Sequence, residues 1–91
     1  MGAAMACVLK AIAESPRRAI LRSLRFGSLP AVDLADELAH LPEPSLAEHL
    51  RVLRRARLLR ERRGVGGLDY LLESERVHEL AARLRTVVAE G

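Results

Sequence analysis

The stretch LPEPSLAEHLRVLRRARLL, residues 41–59, decides how this chain is read. Pro42 and Pro44 break what precedes it, and Ser45 or Glu43 is placed to cap a helix over about residues 44–57. At about 100° per residue, Leu46, His49, Leu50, Leu53 and Ala56 gather on one side of that helix. Pro44, Ala47, Glu48, Arg51 and Arg55 gather opposite, with Arg54 at the flank. An apolar stripe must be buried, so the arginine side is offered outward. Such a face suits a DNA major groove, because a guanidinium can hold a phosphate or take a guanine edge by a bidentate pair. Glu48, one turn before Arg51, can accept from the N4 amino group of cytosine, or it can hold Arg51 in one rotamer. A solvated amphipathic helix with no reading role has the same wheel.

The charge around this helix favours the first reading. The chain has 91 residues and a net charge of +3, and Lys10 is its one lysine. Seven arginines and one acid, Glu61, fall between Arg51 and Arg63, while the segments on either side are slightly acidic. A basic block confined in this way attracts a polyanion. It runs on into Arg60, Arg62 and Arg63, which is expected to extend the patch in one direction.

Those arginines belong to a second kind of element. LLRERRGVGGLDYLL reads as two short strands, residues 59–63 and 68–72, around the turn Gly64-Val65-Gly66-Gly67, a wing over about residues 59–72. Before the central helix lie an alanine-rich helix over about residues 3–13, a second opened by Ser15 as cap and Pro16 and stopped by Gly27, and a short third opened by Pro30. His40 is expected at the C-terminal end of that third helix, complementing its dipole. A final helix over about residues 74–89 lines up Val77, Leu80, Ala81, Leu84, Val87 and Val88. Only Phe26 and Tyr70 are aromatic, so the core must be built from Leu, Ala, Val and Ile.

Four helices, a hairpin and a helix predict one domain over residues 1–91, mainly α with a small β-hairpin, a winged helix-turn-helix. So small a core gains from a partner. The first and last helices, about residues 3–13 and 74–89, are apolar along one side, and a two-fold homodimer is expected through Met5, Val8, Leu9, Ile12, Val77, Leu80, Ala81, Leu84, Val87 and Val88.

The pieces that carry these elements resemble a known family, the ArsR/SmtB regulators. IAESPRRAILRSL is similar to its opening segment, and GSLPAVDLADEL to its G-x-L-x-x-x-[ED]-L-A-x-x-L helix. SLAEHLRVLRRARLLRERR is similar to its recognition helix and first strand, with Tyr70-Leu71-Leu72 closing the wing. The resemblance covers about residues 9–84. It implies a bacterial dimeric transcription regulator binding double-stranded DNA at a near-palindromic site, with Ser45, Glu48, Arg51, Arg54, Arg55, Arg62 and Arg63 as the contacting residues. The chain departs from the family where it has Ala47 and Glu48 before His49-Leu50, and Gly66 and Gly67 where the wing usually has arginines.

Members of that family often sense metals. The positions that match its thiol site are Pro30, Ala31 and Val32, and those that match its last-helix site are Ser74, Arg76, Val87 and Glu90, of which Glu90 alone can ligate. Glu75, His78 and Glu79 form a substitute set on one side of the last helix, with Glu73 near, and such nitrogen and oxygen donors suit nickel, cobalt or zinc. The plain alternative is a water-facing side, helped by a Glu79–Arg83 pair. No metal is needed for the fold. His49 is expected to pack, and Cys7 to be a buried small apolar residue.

No nucleophile elbow, phosphate-cradling loop or paired buried carboxylate points to an enzyme. The opening MGAAMACVLKAIA is too short to span a bilayer and lacks a basic leader, so a cytoplasmic protein without membrane attachment is expected. The rival reading is a winged helix that binds protein, including a second regulator, with Glu43 and Glu48 meeting a basic partner.

Overall fold

The computed structural model describes the backbone of residues 3–90 and the side chains of residues 6–42, 44–83, 85 and 86. The elements follow in the order α1 (Ala3–Ile12), α2 (Ser15–Ser23), β1 (Leu29–Pro30), α3 (Ala31–Glu37), α4 (Glu43–Arg55), β2 (Leu59–Gly64), β3 (Gly67–Leu72) and α5 (Ser74–Glu90). Three helices and a hairpin of antiparallel strands, flanked by α1 and α5, give the winged helix-turn-helix that the sequence predicts.

The stripe of α4 organises the packing. Leu46, Leu50, Leu53 and Ala56 are buried, and they close on Val8 and Ala11 of α1, Ile20 and Leu24 of the α2 region, and Leu34 and Leu38 of the α3 region. Leu58 and Leu59 complete the twelve buried residues, all aliphatic. Each fully buried leucine contributes about 1.5–3 kcal/mol relative to an exposed one. Tyr70 and Leu72 of β3 pack on this core from the sheet side, and Val77 and Leu80 of α5 from the opposite end of the chain.

The sheet has one strand more than the sequence revealed. β1, only Leu29 and Pro30, pairs antiparallel with β3 through Leu29↔Tyr70 and Pro30↔Asp69, so β3 lies in the middle, in the order β1-β3-β2. A two-residue edge strand containing proline carries no alternation to read. Gly64 and Gly67 belong to the strand ends, and the turn proper is Val65-Gly66.

Helix starts differ from expectation. Ser15 lies inside α2 and does not cap it; Glu14 is the N-cap, its backbone extended and its side chain without a capping bond. The Glu14 carbonyl accepts from Arg17 N at 3.1 Å, and its carboxylate pairs with the Arg17 guanidinium. Likewise Pro42 is the N-cap of α4, and neither Glu43 nor Ser45 caps it. Prolines near both starts fix φ and remove an amide that would otherwise need a partner, so a side-chain cap has less to do. α3 ends at Glu37, which leaves the exposed His40 beyond its last turn rather than on it. Cys7 is exposed, not buried.

The end of α4 is set by the backbone. Leu58 N donates to Leu53 O at 3.1 Å and Arg57 N to Arg54 O at 3.0 Å, a Schellman closure in which Arg57 takes the left-handed position with φ 63°. Leu58 and Leu53, the residues that such a closure brings together, are both fully buried. An arginine there carries a Cβ clash that glycine lacks. Replacing it, Arg57→Gly, is expected to stabilise the fold by about 0.5–1 kcal/mol and to raise the melting temperature by a few degrees in a thermal scan followed by circular dichroism. A lower melting temperature would show that the Arg57 side chain contributes more than its backbone costs.

Candidate nucleic-acid interface

With the stripe buried, α4 turns Ala47, Glu48, Arg51, Arg54 and Arg55 to solvent, while Ser45 is half-buried. His49 lies between the two faces. Its Nδ1 accepts from Arg17 Nε at 3.2 Å and ties α4 to α2, the packing role expected of it.

The arginines of the basic block are not equally free. Arg51 pairs with Glu48 on the same face of α4, and Arg54 crosses to Glu61 on β2. Arg60 Nε lies 2.7 Å from Glu73, and Arg62 lies 3.7 Å from Asp69 while donating to Ser28 Oγ at 3.0 Å. Arg55 and Arg63 have no ion pair among the described residues. Exposed pairs of this kind are worth about 0–1 kcal/mol, so a phosphate can take the arginine over at little cost. Until it does, the carboxylates hold the side chains in place and dilute the positive field.

The block is also divided by the pleat of β2. Side chains alternate across a strand, so Arg60 and Arg62 go to one face, and Arg63 goes to the other with Glu61 and the buried Leu59. The patch therefore does not continue in one direction, as the linear run implied. Arg62 instead faces its register partner Asp69 and the loop before β1. The turn at the wing tip carries no charge, and Val65 there is fully exposed. An added Cβ at Gly64 would lie 2.5 Å from an Asp69 carboxylate oxygen, so a side chain there would have to push that carboxylate aside.

On α5, Glu75, His78 and Glu79 are exposed. Glu79 pairs with Arg76 at 3.5 Å, in place of the anticipated Arg83, and His78 Nδ1 donates to Ser74 O at 3.0 Å. Among the described residues, no three His, Cys, Asp or Glu side chains are grouped to hold a metal ion. The side chain of Glu90 lies outside the described residues. Of the apolar residues expected at a dimer interface, Val8 is buried within the chain's own core, Leu9 is exposed, and Ile12, Val77, Leu80 and Ala81 are half-buried. The side chains of Met5, Leu84, Val87 and Val88 lie outside the described residues. No helix is long and apolar enough to cross a membrane among the described residues.

This outward face, seated on a buried stripe beside a three-stranded wing, falls within residues 8–61, which match the model of the bacterial regulatory proteins of the arsR family. The chain belongs to that family. It is 37% identical over 73 residues to the HTH-type transcriptional regulator KmtR of Mycobacterium tuberculosis, a match covering 80% of this chain and 55% of KmtR. It is 36% identical over 56 residues to the transcriptional repressor SdpR of Bacillus subtilis, covering 62% of this chain and 61% of SdpR. The chain thus spans little more than half the length of these relatives. Among solved structures, the transcriptional regulator HlyU of Vibrio vulnificus is similar at a TM-score of 0.69 and 31% identity, over 91% of this chain and 85% of that one. An ArsR-like regulator of Rhodococcus sp. RHA1 reaches a TM-score of 0.82 at 25% identity, over 97% and 82%. Both carry the winged-helix fold described above.

The cross-element pair of Arg54 with Glu61 yields a test of how much the acids restrain the block. Glu61→Gln is expected to free Arg54, strengthening retention on immobilised heparin about two- to fivefold with unchanged helix content. Elution at the same or lower salt would show that Arg54 does not reach the polyanion.

Proposed function

We propose that this chain is a DNA-binding transcription regulator acting as a two-fold dimer, with α4 as its reading helix. The observation that carries this reading is the face of α4, where Arg51 and Arg55 stand exposed opposite a buried stripe, with Arg54 exposed at the flank, in a chain of the arsR family. In such a dimer the two reading helices enter successive major grooves about 34–36 Å apart on a near-palindromic duplex site. The half-buried apolar residues of α1 and α5 are the surface available for joining the copies. Arg55 and Arg63 supply unencumbered phosphate contacts. Arg51 and Glu48 act as a couple: the acid discourages generic duplex and accepts from a cytosine amino group, while the arginine takes the neighbouring guanine or phosphate. Ser45, Arg54 and Arg62 complete the contact set.

A response to nickel, cobalt or zinc has less support. With Glu79 engaged by Arg76 and His78 Nδ1 by a carbonyl, such an ion would have Glu75 and His78 Nε2, short of the four or more donors it takes unless a partner chain adds some.

Combined Arg51→Ala and Arg55→Ala substitutions are expected to weaken retention of operator DNA in a gel shift by about 30-fold or more, because each arginine contributes about 1–3 kcal/mol. The salt dependence of binding should become shallower and helix content should not change. Undiminished retention would contradict the reading, and a salt-insensitive complex with another polypeptide would replace it with the protein-binding alternative.

A further inference from the structure

The basic end of α4 and the end that enters a groove first are different places. In a helix-turn-helix the N-terminal residues of the reading helix contact the base edges. Here the first turns of α4 put Pro44, Ala47 and Glu48 outward, and the outward arginines begin only at Arg51. Glu48 and Arg51 are already paired with each other. That leaves Pro44 and Ala47, both exposed, and neither side chain has a donor or an acceptor. Proline lacks even a backbone amide to offer.

The two residues stand at the edge of a larger apolar surface. They line a recess of about 470 Å³ together with Ala31 and Ala35 of α3, Tyr70 of β3, and Leu46 and Leu50 of the buried stripe. Tyr70 is the one lining residue whose side chain can make a hydrogen bond. Alanine and proline have no long side chain to swing across the opening, so the recess is a fixed feature of the surface. No residue of α1 or α5 lines it, so joining two copies through those helices leaves it uncovered.

A fixed apolar surface can select little in a major groove. Base edges there present donors and acceptors, and the one apolar feature is the 5-methyl group of thymine. An amino or carbonyl edge pressed against Ala47 would lose its water without gaining a partner, whereas a methyl group gains by the same loss. We propose that Ala47 and Pro44 are specificity-determining residues that read the 5-methyl group of a thymine, seated at the mouth of the recess they share with α3 and β3. The inference rests on the function proposed above and names the base that its reading helix prefers. Ala47 and Arg51 are four residues apart, about 6 Å along the helix, against about 3.4 Å between base pairs. The thymine therefore lies one or two pairs from the G·C pair engaged by Glu48 and Arg51.

The test starts by letting the full chain select from duplexes with a randomised centre, and then measures the selected duplex by fluorescence anisotropy with each thymine replaced in turn by deoxyuridine. That replacement removes the methyl group and nothing else. At one thymine in each half-site, one or two pairs from a G·C pair, it is expected to weaken binding about fourfold, the factor for one buried methyl group. Ala47→Ser sets a hydroxyl against the methyl, and it should reduce that ratio to under about twofold with helix content unchanged. Equal binding of every deoxyuridine duplex would overturn the proposal while leaving the regulator reading intact. So would a penalty that Ala47→Ser does not alter, because the methyl would then be acting through the shape of the DNA. Failure to retain any duplex would overturn the regulator reading, and the proposal with it.

Discussion

The seating of four α4 side chains fixes everything that the surface can do. Leu46, Leu50, Leu53 and Ala56 are buried against α1, α2 and α3, and a helix so anchored has one rotational phase. That phase sends Ala47, Glu48, Arg51 and Arg55 outward together. It is locked at the far end by the Leu58–Leu53 hydrogen bond, which stops the helix even though an arginine must adopt a left-handed backbone to allow it. A turn of even one residue would bury an arginine without a partner, at a cost that a domain of this size cannot absorb.

On that fixed face the acids stand beside the arginines. Glu48 is not placed against the phosphates alone; it lies beside Arg51, and Glu61 lies beside Arg54. The surface is a set of weak exposed pairs that hold side chains in position and release them when a stronger anion arrives. In the function proposed above, such a surface gives up generic affinity for duplex DNA, and sequence-dependent contacts then weigh more in what remains. The uncharged wing tip acts in the same direction, since it offers no arginine to a minor groove.

What was legible in the sequence is what a period or a breaker encodes. The α4 wheel placed its buried leucines and alanine and its exposed arginines correctly because packing follows helical phase, with His49 left half-buried at the edge of the stripe, and the glycine-rich turn located the hairpin because two-residue loops demand such residues. The misses lie where the outcome depends on neighbours distant in the chain. β1 exists only because β3 offers Leu29 and Pro30 an edge at Tyr70 and Asp69. Ser15 and Ser45 look like caps in isolation, yet the proline geometry moves the helix starts ahead of them. The basic run looked continuous because a linear count ignores the pleat that parts Arg62 from Arg63. Cys7 took the exposed side of α1, which a featureless alanine-rich helix does not disclose.

The central claim is that the outward arginines of α4 meet the polyanion. It is tested most directly by following the arginine side-chain Nε–Hε resonances of labelled protein as duplex DNA is added at low salt. The account predicts that Arg51 and Arg55 shift first and return on raising the salt, with Arg54 following as Glu61 releases it. Shifts centred on Arg18, Arg22 and Arg25 while Arg51 and Arg55 stay unmoved would contradict it.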